Sequence, residues 1–178
     1  MSDGRVSFAV SNNLACLRLE GELRHALAEV IDDFSAQLFD GDLGPFRQLV
    51  LDLGEASFMD STVIGLLVTL ARDCRSRGLP PPMLICSHLE LLAMVHAMRL
   101  EQVFRLIAPT ADGDQLLASS TFVGPGKQAD ELRQTRLILK AHRALIAADE
   151  SNREAFGAVV DLLMQEVERL QQEQGMLR

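Results

Sequence analysis

Leu49-Val-Leu-Asp-Leu-Gly-Glu-Ala-Ser-Phe-Met-Asp-Ser-Thr62 is the stretch that decides the fold of this 178-residue chain. Residues 48–53 form a short apolar run, typical of a strand that is buried on both faces in the centre of a sheet. Across residues 62–77 the apolar positions recur three or four apart, which predicts an amphipathic helix. A short polar loop ending at Asp60 and Ser61 therefore joins a buried strand to the start of a helix.

The flanking segments extend this pattern in both directions. Residues 5–10 and 14–19 alternate apolar and polar positions around Asn12-Asn13, which predicts a β-hairpin with an Asn-rich turn. Further helices are predicted over 25–38 and 89–98, and further strands over 83–86 and 104–107. Strands that alternate with helices predict an α/β fold, with a mixed, mostly parallel sheet of about five strands.

The chain divides into two unequal parts. Residues 1–118 form the predicted α/β domain, residues 119–127 read as a linker rich in Ser, Gly and Pro, and residues 128–178 carry two helical stripes that predict an α-hairpin. Its first helix bears a basic stripe of Arg133, Arg136, Lys140 and Arg143, which is either a solvated face or a contact with acidic residues. We expect the hairpin to mediate self-association, for example as a homodimer.

Composition and charge limit the function classes. The chain is 48% hydrophobic with a net charge of −8, and residues 20–60 hold ten acidic residues against Arg24 and Arg47. Such a surface repels nucleic acid and favours basic protein partners, unless it is simply solvated. There is no signal-peptide pattern, and the longest apolar run is too short to span a bilayer. We therefore expect a soluble, cytoplasmic protein that does not bind a membrane.

The cysteines and aromatic residues give no sign of a cofactor. Cys16, Cys74 and Cys86 are far apart and show no Cys-x-x-Cys spacing, so we expect buried, reduced thiols and no metal site. The chain has no Trp and no Tyr, so base-stacking platforms are poorly supplied. No cofactor is predicted.

Ser61 stands where a helix begins, and two interpretations of it are open. The first backbone N–H groups of a helix lack partners and the helix dipole is positive there, so a phosphate on Ser61 would be tolerated locally. Phosphorylation would add about −1.5 to −2 charges beside Asp60 and alter what docks on this surface. An unmodified serine that only caps the helix is the simpler interpretation.

Nucleophilic catalysis by Ser61 has less support. A serine hydrolase needs a histidine that is oriented by an acid. His25, His88, His96 and His142 are present, but there is no Gly-x-Ser-x-Gly elbow, and His142 lies in a predicted helix, where surface or satisfied core roles are usual. His88 follows a strand end and either lines the same face as Ser61 or is a plain surface residue. The chain is predicted not to be an enzyme.

Three segments resemble a known family, the STAS-domain anti-sigma-factor antagonists of bacterial partner-switching systems. Leu17-Arg-Leu-Glu-Gly-Glu-Leu23 is similar to the family's second strand, and residues 49–62 to the strand and loop that carry its phospho-acceptor. The helix ending Arg75-Ser-Arg-Gly78 and the strand Phe104-Arg-Leu-Ile107 also occupy the family's positions. The resemblance covers about residues 5–118 and leaves the hairpin outside.

The resemblance implies a phospho-regulated switch in signal transduction and transcription regulation. The unphosphorylated protein would bind an anti-sigma factor that is also a serine kinase of the histidine-kinase-like ATPase type. That kinase would phosphorylate Ser61 and release the protein, and a PP2C-type phosphatase would reverse the reaction. The residues expected to contact the partner are Gly21, Glu22, Asp60, Thr62, Val63 and His88.

One departure from the family pattern keeps a second function open. Family members usually have glycine directly after the Ser/Thr pair, where this chain has the bulkier, stiffer Val63. The alternative is a constitutive STAS scaffold, a subunit of a stressosome-like signalling assembly or of a transport complex, in which Ser61 is only a helix cap.

Overall fold

The structure is a computed structural model that describes residues 3–108, 121–123 and 130–176. The predicted hairpin is present: strand β1 (Arg5–Ser11) pairs antiparallel with strand β2 (Leu14–Leu23) along its whole length. Asn12 and Asn13 form the turn with φ of 52° and 64°. Asparagine tolerates this left-handed region better than most residues, which explains why the turn is Asn-rich.

The sheet continues beyond both strands of this hairpin. Strands β3 (Gln48–Asp52), β5 (Met83–Ile85) and β6 (Arg105–Ile107) follow in parallel, while β7 (Thr121–Val123) pairs antiparallel with β1. The strand order is β6-β5-β3-β2-β1-β7. The predicted fold class is thus confirmed. Most of the predicted linker lies outside the described residues, and β7 falls within it.

A short strand, β4 (Ala56–Met59), lies where the sequence pattern predicts a loop. It pairs in parallel with the last three residues of β2, where the register shifts between Gly21 and Glu22. Four residues are too few to show a clear alternation, so the sequence pattern gave no signal for this strand. The pairing fixes the end of β2 beside the loop that carries Ser61.

The described part of the α/β domain contains three α-helices. Helix α1 (Ala28–Asp40) follows a single 3₁₀ turn at His25–Leu27 and ends at Gly41, whose φ is 89°. Helix α2 (Ser61–Ser76) begins directly after β4, and α3 (Leu89–Ala97) follows β5. One side of α1 and α2 packs on the sheet, in a core shared with the leucines of β2 and β3.

The predicted C-terminal α-hairpin forms a further layer. Helix α4 (Glu131–Ala148) lies against the outer side of α2 and also contacts α1, and α5 (Asn152–Met176) packs against α4. Every residue from Thr62 to Val68 is consequently buried, because the sheet covers one side of α2 and α4 covers the other. Leu137 and Leu145 of α4 join the main core.

The basic stripe of α4 reaches the acidic part of the domain. Arg133 Nη2 lies 2.6 Å from Asp33 Oδ1, and Lys140 Nζ lies 2.8 Å from Asp32 Oδ1. Of the two open interpretations, contact with the acidic 20–60 surface is confirmed for these two side chains, within one molecule. The pairs are exposed and therefore align the helices more than they stabilise them.

Candidate functional site

Asp60 holds the start of α2 in place with both carboxylate oxygens. Oδ1 accepts a hydrogen bond from the Val63 N–H at 3.0 Å, and Oδ2 accepts one from the His25 N–H at 2.6 Å. The Asp60 N–H donates in turn to the Leu23 carbonyl. Asp60 is therefore the N-cap of α2 and also ties it to the end of β2. The capping role that the sequence left open for Ser61 belongs to Asp60.

Ser61 is the first helical residue, and its side chain faces α4. The Ser61 Oγ lies 2.9 Å from His142 Nε2. His142 Nδ1 lies 2.7 Å from the Ile138 carbonyl, which can only accept, so Nδ1 carries the proton. In the neutral imidazole, Nε2 is then the acceptor, and the Ser61 hydroxyl donates to it.

His142 is a buried residue with fixed orientation. Its exposed fraction is 4%, and its ring meets that of Phe156 from α5 edge-on at a centroid distance of 5.4 Å. The sequence predicted either a surface or a satisfied core histidine, and the structure confirms the second role. The prediction did not identify its partner, Ser61.

The serine–histidine pair lacks the surroundings of a hydrolytic site. Nδ1 of His142 donates to a helix carbonyl, whereas a catalytic triad places a carboxylate there. Two open grooves, of about 950 and 670 Å³, border the later turns of α2, and neither is lined by Ser61 or His142. In the described part of the chain, no group of three acidic, His or Cys side chains is placed to hold a metal ion.

The other predicted contact residues lie around the same end of the sheet. Gly21 has a φ of 74°, and its N–H donates to the Glu55 carbonyl, so β2 and the β3–β4 loop are joined there. Glu22 accepts hydrogen bonds from Arg24. Thr62 and Val63 lie in the first turn of α2 but are buried.

His88 lies at the same edge as the β3–β4 loop. It is the N-cap residue of α3, and the neighbouring Ser87 hydroxyl donates to the Gly54 carbonyl at 3.1 Å. This bond joins the loop after β5 to the loop after β3. The structure thus gathers Gly21, Glu22, Asp60 and Ser61 closely and brings the His88 loop alongside them.

Two exposed apolar side chains were not predicted from the sequence. Phe58 on β4 is 39% exposed and Leu89 at the start of α3 is 81% exposed, and α3 contacts β4. The Arg24 guanidinium lies 4.7 Å from the centre of the Phe58 ring. Exposed apolar residues beside charged ones are typical of protein contact surfaces. Phe58, an aromatic residue in an otherwise polar predicted loop, was the feature of the sequence that could have indicated this surface.

The three cysteines are buried, as the sequence predicts. Burial raises the pKa of the Cys16 thiol to about 12, with the Asp52 carboxylate adding to the shift. Burial likewise raises the pKa of Cys74 to about 11 and also raises that of Cys86. Reactive thiols have lowered pKa values, so these groups are packing elements.

Comparison with known proteins identifies the domain. A family model described as the STAS domain matches residues 5–112, more than half of the chain, and leaves α4 and α5 outside. The anti-sigma factor antagonist SpoIIAA in its unphosphorylated form is similar in structure, with a TM-score of 0.52 and 20% identity over 62% of this chain and 92% of the other.

Two further solved structures are also similar. The Bacillus cell fate determinant SpoIIAA in the phosphorylated form gives a TM-score of 0.50 at 20% identity, covering 62% of this chain and 96% of the other. An anti-sigma factor antagonist from Mycobacterium paratuberculosis gives 0.47 at 18% identity, covering 64% and 92%. At such identities the SpoIIAA structures establish a shared fold. No helix in the described ranges is long and apolar enough to cross a membrane.

Proposed function

The chain belongs to the STAS domain family, and we propose that it is a non-enzymatic switch in which phosphorylation of Ser61 controls the binding of a partner protein. One observation carries the proposal. Asp60 caps α2, so the Ser61 hydroxyl is not needed as the helix cap, and among the described residues it is held by the His142 side chain. A serine that has no capping role and lies at the positive end of a helix is suited to accept a phosphate.

The proposed partner is an anti-sigma factor that is also a serine kinase of the histidine-kinase-like ATPase type. The kinase transfers the γ-phosphoryl group of ATP to Ser61 Oγ. The bond to ADP breaks as the new P–O bond forms, and the hydroxyl proton passes to a base of the kinase. A PP2C-type phosphatase hydrolyses the ester and returns inorganic phosphate. The unphosphorylated form binds the kinase and the phosphorylated form leaves it.

The surface around Ser61 supports protein binding of this kind. Glu22 and Asp60 supply negative charge, while Phe58 and Leu89 supply exposed apolar area. A phosphate on Ser61 would add about −1.5 to −2 charges at the centre of this surface. A partner that packs closely against the unmodified surface would lose affinity, because the phosphate would be desolvated beside existing carboxylates.

Capture of partners by Ser61 variants tests the proposal. The Ser61→Ala chain should retain from its own cells a kinase that transfers labelled phosphate from ATP to wild-type Ser61, and the Ser61→Asp chain should lose it. Ser57 is exposed on β4, four residues away, so Ser57→Ala and Ser57→Asp are matched controls that should both retain the kinase. Equal capture by Ser61→Ala and Ser61→Asp would contradict the proposal.

A second candidate function is a constitutive STAS scaffold within a signalling or transport complex. The observation that favours it is the Ser61–His142 hydrogen bond, which gives Ser61 a structural role between α2 and α4. A scaffold of this kind would keep the same partners in all Ser61 variants that preserve the fold. The same capture experiment therefore separates the two candidates.

A further inference from the structure

Helix α4 occupies the part of the surface where the switch residue lies. The Ser61 hydroxyl is engaged by His142, and the next two residues, Thr62 and Val63, are 5% and 0% exposed. A partner that must reach the first turn of α2 therefore meets α4 first. The residues matched by the family model end at 112, so this cover is supplied by the added hairpin of α4 and α5.

The contact between the two helices is unusually close at one point. A Cβ atom added to Gly65 would lie 2.4 Å from the Ala141 carbonyl oxygen and 2.8 Å from the Ala141 Cβ. The helices can approach this far only because glycine faces alanine. His142, the next residue on α4, is brought to Ser61 by this close approach.

We propose that the α4–α5 hairpin is a built-in occupant of the phospho-acceptor face, and that a phosphate on Ser61 and the docked hairpin exclude each other. This inference rests on the proposed function of Ser61 and adds the regulation of the site. In the unphosphorylated chain the hairpin competes with the partner for α2. Phosphorylation releases the hairpin, which leaves the phosphate open to a phosphatase.

The geometry gives the physical reason. The 2.9 Å separation between Ser61 Oγ and His142 Nε2 leaves no space for a phosphoryl group between them. The His142 ring cannot turn aside freely, since Nδ1 is bonded to the Ile138 carbonyl and the ring edge packs on Phe156. A dianionic group at this interface would also lose much of its hydration.

The basic side chains of α4 are not placed to neutralise a phosphate on Ser61. Arg133 and Lys140 are engaged with Asp33 and Asp32 of α1. Arg136 and Arg143 line a groove beside the later turns of α2 and not its first turn. A phosphate that stayed docked would therefore depend on charging His142 itself, in a position that is 4% exposed. Enclosing both charges at this interface would weaken the docking of α4. A coupling of this kind between two sites is typically about 5–150-fold.

Hydrogen exchange of the full chain tests the proposal, with phosphoserine inserted at position 61 during translation. Helices without tertiary packing are marginal in water, so α4 should lose protection when it undocks. We expect its amides to exchange at least about tenfold faster than in the unmodified chain, within the range typical of coupled sites. Phosphoserine at the exposed position 57 is the matched control and should leave α4 protected.

A glycine variant provides the second measurement. Gly65→Ala should speed the exchange of α4 in the same way, because the new Cβ would collide with the Ala141 backbone. Gly157→Ala is the control within the hairpin, since among the described residues its Cβ would meet the flexible Arg153 side chain, at 3.4 Å. Unchanged protection of β2 and β3 shows that the domain remains folded.

Equal or greater protection of α4 in the phosphoserine-61 chain would overturn the proposal, because the phosphate would then be compatible with the docked hairpin. Since the phosphoserine is inserted without a kinase, this result does not depend on whether cells phosphorylate Ser61. Failure of the proposed function would appear instead in partner capture and in the phosphorylation state of the native chain.

Discussion

The Ser61 hydroxyl donates a hydrogen bond to His142 Nε2 across 2.9 Å, although the two residues are 81 positions apart in the chain. The bond joins the first residue of α2, in the STAS domain, to the middle of α4, in the added hairpin. It makes the candidate phospho-acceptor part of a helix–helix interface. The state of this residue and the position of the hairpin are therefore linked physically.

A double-mutant cycle should measure this link. His142→Leu leaves the Ser61 hydroxyl without its buried acceptor, so the free energy of unfolding should fall by about 1–3 kcal/mol. His142→Gln can present an acceptor oxygen and should cost less. In the cycle with Ser61→Ala, measured by urea unfolding, we expect a coupling energy of about 1 kcal/mol. Additive effects would show that the hydrogen bond contributes no stability.

The cap of α2 offers a second test. Asp60→Ala removes the acceptors of the Val63 and His25 N–H groups, and we expect a loss of about 1–3 kcal/mol in unfolding free energy. The matched control is Asp130→Ala, which removes a single cap bond, to the Arg133 N–H of α4. Urea unfolding should show the larger loss for Asp60→Ala. A loss no greater than that of Asp130→Ala would contradict the double role of Asp60.

Self-association through the hairpin remains a prediction, and the structure indicates which residues to change. Leu162 on α5 is 66% exposed, and Val159 and Met164 are each 38% exposed nearby. We expect a dimer by light scattering that Leu162→Glu converts to a monomer, because a buried, unpaired carboxylate is costly. Leu89→Glu changes an exposed leucine on α3 and should leave the mass unchanged. A wild-type monomer would contradict the prediction.

The buried thiols predict a loss of stability at alkaline pH. The pKa of Cys74 is raised from 9.0 to about 11 by burial, so above pH 9 the unfolded chain releases this proton before the folded one does. Stability that is present below pH 9 is therefore lost between pH 9 and 11, by about 1.4 kcal/mol per pH unit for this group. Urea unfolding should show a shallower slope in Cys74→Ala. An identical slope in the two chains would contradict this assignment.

The sequence predicted those secondary-structure elements whose residues show a clear local pattern. The Asn12-Asn13 turn, the buried strand β3 and the two hairpin helices follow from local patterns, and so does the class of the sheet. The charge pattern also suggested the contact between α4 and the acidic surface. Strand β4 was missed because it is short and depends on its pairing with the end of β2.

The Ser61–His142 contact could not be predicted, because it depends on where α4 docks. One signal was nevertheless present in the sequence. Residues 62–68 of α2 are apolar almost all round, which is typical of a helix that is covered on both sides. Gly65 in the middle of that run indicates a close approach by another backbone. Neither feature identifies α4 as the covering element or His142 as the contact.

The most direct test of the central claim is phosphate-affinity electrophoresis of the chain from its own cells under several growth and stress conditions. A phospho-switch at Ser61 predicts two species, of which the slower one disappears in Ser61→Ala, remains in Ser57→Ala and is lost on phosphatase treatment. A single, unshifted species under every condition would contradict the switch and favour the constitutive scaffold.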